Sequence, residues 1–341
     1  MLINYFQKRS MRVKWKGVYS KVRPLNGGGP QGGTLGILEF LSQSNDNANM
    51  VEPDDRFKFV DDLTILEIIN LLIIQISSYD IINHVPSDIP THNGYISKDK
   101  LTSQKNLSLI NTWTKKKKMI LNQKQTKNMV FNFTNKHNFT TRLNENGENI
   151  EVVTELKLLG TVLTDDLKWD RNTSYLVKKA YMRMQLLYSA AKFTKNKHDL
   201  KHIYITFIRP VLEQSAPVWH SSLTGENSRD IERVQKAAVR TIMGRNQTNY
   251  ETSLKELKLV ELYKRRKQLC LTFAKKTVSN QRMNHMFPVR KEERFQKRRY
   301  TEFYTVKKTN TERLKRSAIP YMQKLLNTYK HENTHKKASA K

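Results

Sequence analysis

The stretch RFKFVDDLTIL, Arg56 to Leu66, sets two adjacent carboxylates, Asp61 and Asp62, between apolar runs in a chain with 61 Lys and Arg against 31 Asp and Glu. Phe57, Phe59 and Val60 precede the pair, and Leu63, Ile65 and Leu66 follow it. Short runs of β-forming residues on either side of a polar break are the pattern of a tight hairpin, here with carboxylates at its tip. Neighbouring carboxylates repel, and partial burial raises the cost of keeping both ionised unless a cation or several donors face them. A divalent metal meets that need, because Mg²⁺ takes hard oxygen ligands and is shared between one or two carboxylates and substrate phosphates. The bland alternative is a solvated turn or a helix cap, where Asp also occurs.

Upstream lies NGGGPQGGTLG, Asn26 to Gly36, with six glycines in eleven residues. Such a backbone bends sharply or is closely approached, unless it is merely a flexible loop. Before it, Met11, Val13 and Trp15 alternate with basic residues ahead of Lys16-Gly17, then Val18, Tyr19 and Val22 follow, which predicts strands and a hairpin. Downstream, a helix is expected from Glu67 to about Ser77, a loop from Tyr79 to Asn106, and a helix over Leu107–Ile120 that ends in KKKK, Lys115 to Lys118. NMVFNF, Asn128 to Phe133, reads as a strand, and Val152–Val153 followed by Leu156–Val162 around Gly160 as a second hairpin.

From Asn172 the pattern is helical. Ser174–Phe193 and Asp199–Trp219 are apolar-rich, the second bent or broken at Pro210 and Pro217. Ser228–Met243 places Ile231, Val234, Ala238, Val239 and Ile242 on one face, with Asn227 or Ser228 to cap its start and Gly244 to close its end. Ser253-Leu-Lys-Glu256 has capping-box spacing and is expected to lead into a helix carrying YKRRK, Tyr263 to Lys267. The segment SAIPYMQKLLN, Ser317 to Asn327, interrupts a basic, irregular stretch, and the last dozen residues are expected to be disordered.

A length of 341 residues supports two or three domains without disulfides or a structural metal. The single cysteine, Cys270, excludes an internal disulfide framework and a zinc knuckle, and fits a reducing compartment. A formal net charge of +30 repels itself unless a polyanion neutralises it, which makes nucleic acid the leading partner. The apolar run Ile68–Ile76 is far shorter than the ~20 residues a membrane span needs, and MLINYFQKRSMRVKWKG lacks the uninterrupted apolar core of a signal peptide. No membrane association is expected.

Taken together, NGGGPQGGTLG and FVDDL resemble the reverse transcriptases of non-LTR retrotransposons, in which a Pro-Gln-Gly motif precedes an aromatic-x-Asp-Asp hairpin of the polymerase palm. The resemblance runs on through WTKKKKMILNQKQTKNMVF, Trp113 to Phe131, similar to the family's helix and strand beside the incoming triphosphate. ELKLLGTVLTDDLKW, Glu155 to Trp169, resembles its primer-grip hairpin, and IERVQKAAVRTIMG, Ile231 to Gly244, a thumb helix. It covers roughly residues 5 to 330. The fold it implies is α+β: a partial palm of antiparallel strands and packed helices over residues 1–170, a helical thumb over 171–250, a basic helical region over 251–328 and a disordered tail over 329–341.

The same resemblance implies site residues. Asp61 and Asp62 would be catalytic and hold Mg²⁺ or Mn²⁺. Pro30, Gln31 and Gly32 would lie against the template base and incoming dNTP, and Lys124 or Lys127 would neutralise phosphate. Leu159 and Gly160 would let the grip's backbone approach the primer, and Lys264, Arg265 and Arg266 would contact nucleic-acid backbone. The implied partners are an RNA template, a DNA primer or RNA–DNA hybrid, and dNTP, in an intracellular setting for which the resemblance favours the nucleus over the cytoplasm.

The sequence departs from the family in one way that bears on chemistry. An earlier palm strand with another metal-binding aspartate is expected some tens of residues before Pro-Gln-Gly, yet 29 residues precede Pro30 and the first aspartate of the chain is Asp46. The expectation is therefore a truncated RNA-directed DNA polymerase, weak or inactive as an isolated chain and holding its metal poorly; the alternative is a non-catalytic RNA- or DNA-binding remnant. Other features have structural explanations: His202 and His220 as packed or surface histidines, Cys270, Trp219 and Met243 as core, and KKKK and YKRRK as solvated helix faces as readily as phosphate contacts.

Overall fold

A computed structural model describes residues 10–24, 56–59, 62–65, 71–72, 96–97, 100–117, 121–122, 124–133, 143–145, 148–244, 249–289, 303–306 and 308–339. The chain divides into two compact units, Met1–Asn128 with Thr140–Val152, and Met129–Phe139 with Val153–Lys341. Helices and small two-stranded sheets make it an α+β protein.

In the first unit, β1 (Ser10–Met11) pairs with β4 (Arg23–Pro24), and β2 (Lys14–Trp15) with β3 (Val18–Tyr19), all antiparallel. The β2–β3 turn is Lys16-Gly17 with φ of +46° and +88°. Two left-handed residues match the twist of the flanking strands, and Gly takes the second at no steric cost. This ribbon is the one expected from the alternation of Met11, Val13 and Trp15. Its apolar side chains are exposed, with Trp15 at 74 % and Val18 at 72 %.

β5 (Arg56–Phe59) and β6 (Asp62–Ile65) pair antiparallel with Phe59 opposite Asp62, so two residues separate the strands. The expected tight hairpin is present. Leu71–Leu72 (β7) pairs with Ile96–Ser97 (β8), which corrects the helix expected over Glu67–Ser77. The rest of the expected helix lies outside the described residues. Helix α1 (Lys100–Lys116) buries Leu107, Ile110 and Trp113 along one stripe and ends in Lys115 and Lys116, which complement its C-terminal dipole. β9 (Lys127–Asn128) pairs in parallel with β12 (Glu151–Val152), and β10 (Asn144–Glu145) pairs with β11 (Glu148–Asn149). The strand expected over Asn128–Phe133 therefore contracts to a two-residue pairing, and Met129–Phe131 are half-buried without forming a strand.

The second unit opens on a hairpin, β13 (Glu155–Leu158) and β14 (Thr161–Thr164), in which Leu158 faces Thr161. Helix α2 (Asp170–Phe193) follows and buries Leu176, Ala180, Met184 and Leu187. Asn172 Oδ1 accepts from Val162 N at 3.1 Å, which ties the hairpin to the helix. The next apolar segment breaks into α3 (Lys197–Ile203), a π turn over Tyr204–Ile208, α4 (Arg209–Glu213) and α5 (Ala216–Trp219). Pro210 has no N–H for the helical ladder and sits in the first turn of α4, directly after the π turn. Ser215, with φ of +53°, makes the second break.

Helix α6 (Gly225–Met243) buries the face read from sequence. Its cap is Thr224, whose Oγ1 accepts from Asn227 N at 3.1 Å, and not Asn227 or Ser228. Gly244 closes it with φ of +58°. Ser253-Leu-Lys-Glu256 belongs to α7 (Tyr250–Glu256), with Ser253 buried inside it, so the expected capping box does not form. Helix α8 (Leu262–Val278) carries YKRRK. After a short helix α9 (Glu312–Lys315), α10 (Ala318–Ser339) continues through the segment expected to be disordered. Contacts explain the difference: Lys275 Nζ lies 3.2 Å from the Tyr329 ring centroid, and Lys330 Nζ lies over Phe303 and Tyr304 at 4.8 and 4.7 Å.

The main core of this unit joins α2 through α8 around Trp219, Leu212, Ile208 and Ile231, all fully buried. Gln235, fully buried inside it, anchors a hydrogen-bonded set. Tyr204 Oη donates to Gln235 Oε1 at 2.7 Å, and Gln235 Nε2 donates to Tyr250 Oη at 3.0 Å and to Val260 O at 3.1 Å. Glu232 completes the set, accepting from Tyr250 Oη and from Leu262 N at 3.0 Å. A second cluster packs Cys270, Ala274, Phe287, Tyr304, Met322 and Leu326.

Candidate nucleic-acid interface

The β5–β6 register brings Phe59 and Asp62 face to face across the end of the hairpin. Asp62 is the first residue of β6, described through its backbone, while Asp61, Pro30, Gln31 and Gly32 lie outside the described residues. Carboxylate oxygens are hard donors of the kind Mg²⁺ and Mn²⁺ accept, and the pairing of Asp61 with Asp62 as such donors lies outside the described residues. Among the described residues, no group of three or more His, Cys, Asp or Glu is placed to hold a metal.

Lys124 is exposed in the turn ahead of β9. Lys127 sits on β9 and is ion-paired with Glu151, directly opposite in the parallel ladder. A pair with one carboxylate 64 % exposed contributes little stability and exchanges readily for another anion. Phosphate would have to displace Glu151.

At the second hairpin, Leu159 and Gly160 have φ of +47° and +80°, the two-residue turn that a right-twisted hairpin favours. Gln214 Nε2 donates to Leu159 O at 3.2 Å. A Cβ on Gly160 would meet Gln214 Nε2 at 2.2 Å, so the close approach that excludes a side chain is made by Gln214. Leu159 projects outward, 51 % exposed.

YKRRK divides along α8. Lys264 is exposed and lies 3.2 Å from Glu261. Arg265 is bound in a fork by Glu213, with its Nη2 at 3.0 Å from Oε2, and this pair raises the guanidinium pKa. Arg266 is wholly buried, its Nη2 donating to Ser228 Oγ at 3.2 Å and its Nε lying 3.4 Å from His220 Nδ1. Of the three cations expected at nucleic-acid backbone, Lys264 remains at the surface, and Arg266 is corrected to an interior residue. The i, i+3, i+4 stripe that carries Leu262, Arg266 and Cys270 into the core would have given that result, had position been weighed above residue type.

His220 is buried beside Arg266. Burial, then the charges of Arg266 and Lys267, push its pKa down to about 4, so the imidazole is neutral at pH 7. Burial likewise pushes the Cys270 thiol up to about 12, which leaves it protonated and inert.

The exposed ribbon of the first unit carries Arg12, Lys14, Lys16, Lys21 and Arg23 together with Trp15 and Tyr19. Arg12 lies over the Tyr19 ring at 4.0 Å. Cations interleaved with open aromatic faces are the composition that tracks phosphates and stacks on bases. Among the described residues, no helix is long and apolar enough to cross a membrane. Comparison with protein-family models, with curated proteins and with solved structures finds no match to this chain.

Proposed function

We propose that the chain is a polymerase-derived nucleic-acid-binding protein of the reverse-transcriptase type, its first unit drawn from a palm and its second from a primer grip and thumb. The observation that carries this reading is the antiparallel register of β5 and β6, in which Phe59 pairs with Asp62, the second member of the Asp61-Asp62 pair. The order of parts supports it: a second tight hairpin at Leu159-Gly160 is followed by a helical bundle, and the whole chain carries a net charge of +30. In this reading Asp61 and Asp62 would hold Mg²⁺ or Mn²⁺, which supplies charge neutralisation at substrate phosphates, while the ribbon cations and Lys124 hold the RNA template and DNA primer. Nucleotidyl transfer by this chain alone would be weak, because Asp61 and Asp62 are neighbours on one segment and a two-metal displacement needs donors from separate strands.

Primer extension on an RNA template with Mg²⁺ or Mn²⁺, run beside binding of RNA–DNA hybrid, tests the proposal. Expected are hybrid binding and at most slow incorporation that disappears in Asp61→Asn. Absence of hybrid binding at 50 mM salt would refute it.

A second reading, non-catalytic binding, is favoured by the exposed basic and aromatic ribbon, which grips a strand without any chemistry. Hybrid binding with incorporation absent under both metals selects that reading.

A further inference from the structure

The second unit holds a cavity of about 600 Å³ between the N-terminal end of α6, the start of α8 and the start of α10. Its wall is aromatic on one side: the His220 ring stands 5.1 Å from Tyr263 and 5.8 Å from Tyr321. The lining also carries cations and hydroxyls: Ser228 and Arg229 in the first turns of the 19-residue α6, and Arg316, whose Nη2 donates to Leu223 O at 2.7 Å just ahead of that helix. The positive end of that helix dipole faces the same space.

Behind this wall lies Arg266, fully buried, its Nη2 bonded to the cavity-lining Ser228. Its Nη1 has no hydrogen-bond partner, and among the described residues no carboxylate stands within ion-pair distance of the guanidinium. The Oγ of Ser221, another cavity residue, is also buried without a partner. Of the three acids in the lining, Glu232 is engaged by Tyr250 and Leu262 N and Glu261 by Lys264, while Glu251 stands exposed at the start of α7. The charges of Glu232 and Glu213 and the Trp219 ring, whose centroid lies 5.8 Å from the guanidinium carbon, compensate the buried Arg266 charge in part, and an anion in the cavity would complete that compensation. The site is built for one that brings an aromatic ring with it.

We propose that this cavity binds a single nucleotide unit, with its phosphate at the Ser228–Arg229 turn in front of Arg266 and its base against Tyr263 and Tyr321. The ligand is either a free nucleoside monophosphate or one nucleotide turned out of a single strand, since both present the same phosphate and ring. The site lies in the second unit and needs neither Asp61 nor Asp62, so it stands apart from the polymerase reading.

Titration calorimetry of the full chain with 5′-AMP, adenosine, inorganic phosphate and a short single-stranded oligoadenylate tests it. The expected result is that AMP or the oligonucleotide binds at least tenfold more tightly than adenosine or phosphate. Tighter binding of AMP marks a free nucleotide as the ligand, and tighter binding of the oligonucleotide marks a strand. Ser228→Asp sets a resident carboxylate against Arg266 in the ligand's place; it should lower affinity at least tenfold without lowering the melting temperature. Arg229→Ala, an exposed change, should lower it three- to tenfold and carries the test should Ser228→Asp fold poorly. Equal affinity for phosphate and AMP, no binding of AMP or oligonucleotide, or affinities within twofold of wild type in the folded variants would overturn the proposal. Absence of hybrid binding by the wild-type chain, with AMP affinity intact, would count against the polymerase reading and leave this one standing.

Discussion

Gly160 illustrates how one position answers to two constraints at once. Its φ of +80° belongs to the left-handed region, and the side chain of Gln214 occupies the space a Cβ would need. Gly160→Ala therefore pays about 1–2 kcal/mol for backbone conformation alone, and displacement of Gln214 adds to it; the melting temperature should fall by on the order of 5 °C, read by thermal circular dichroism. An unchanged melting temperature would show that the turn relaxes freely. His220 gives a pH signature. Its folded pKa of about 4 lies below the unfolded value near 6.5, so between these values the unfolded chain binds more protons and stability falls as pH falls. The loss through that window is on the order of 3 kcal/mol, present in wild type and absent in His220→Gln, as measured by urea denaturation at pH 7 and pH 4.5. Both histidine readings from sequence hold at this scale, His220 packed and His202 exposed. Arg266 does not, because a basic run shows charge but not which of its members a helix turns inward.

At the scale of elements, tight hairpins were the most legible features. Lys16-Gly17 and Leu159-Gly160 both end in the glycine their turns require, and alternation fixed the strands on either side. The α6 face was legible for the same reason, a period of 3.6 sustained over four turns. Its cap was not, since Thr224, Asn227 and Ser228 all qualify chemically and only the geometry of the chain entering from Leu223 selects Thr224. Thr224→Ala should cost about 1 kcal/mol, whereas the same change at Ser228 leaves the α6 N-terminus capped; chemical denaturation of the two variants distinguishes them. The C-terminal helix was misread because composition alone ignores Tyr329 and Lys330, which find partners in Lys275 and Phe303 only once the chain is folded. The cavity was wholly illegible: its residues come from positions 220 to 321 and converge through packing.

For the whole molecule, charge sets the expected behaviour. Hybrid affinity should fall linearly with the logarithm of salt, and Arg12→Ala with Lys14→Ala should reduce the slope by about 2 without changing the melting temperature, because both side chains stand in solvent. Fluorescence anisotropy between 50 and 300 mM salt measures it. A slope unaffected by the pair would move the nucleic-acid surface away from the ribbon. The α+β class was legible from the change of period near residue 170, which follows the division between hairpins and helix bundle. In the proposed function, metal binding by Asp61 and Asp62 is the central claim. Electron paramagnetic resonance of Mn²⁺ titrated into the chain, with and without RNA–DNA hybrid, measures that directly. The account predicts loss of the free-ion signal at one ion per chain, strengthened by hybrid and abolished in Asp61→Asn/Asp62→Asn; an identical titration in wild type and double variant would contradict it.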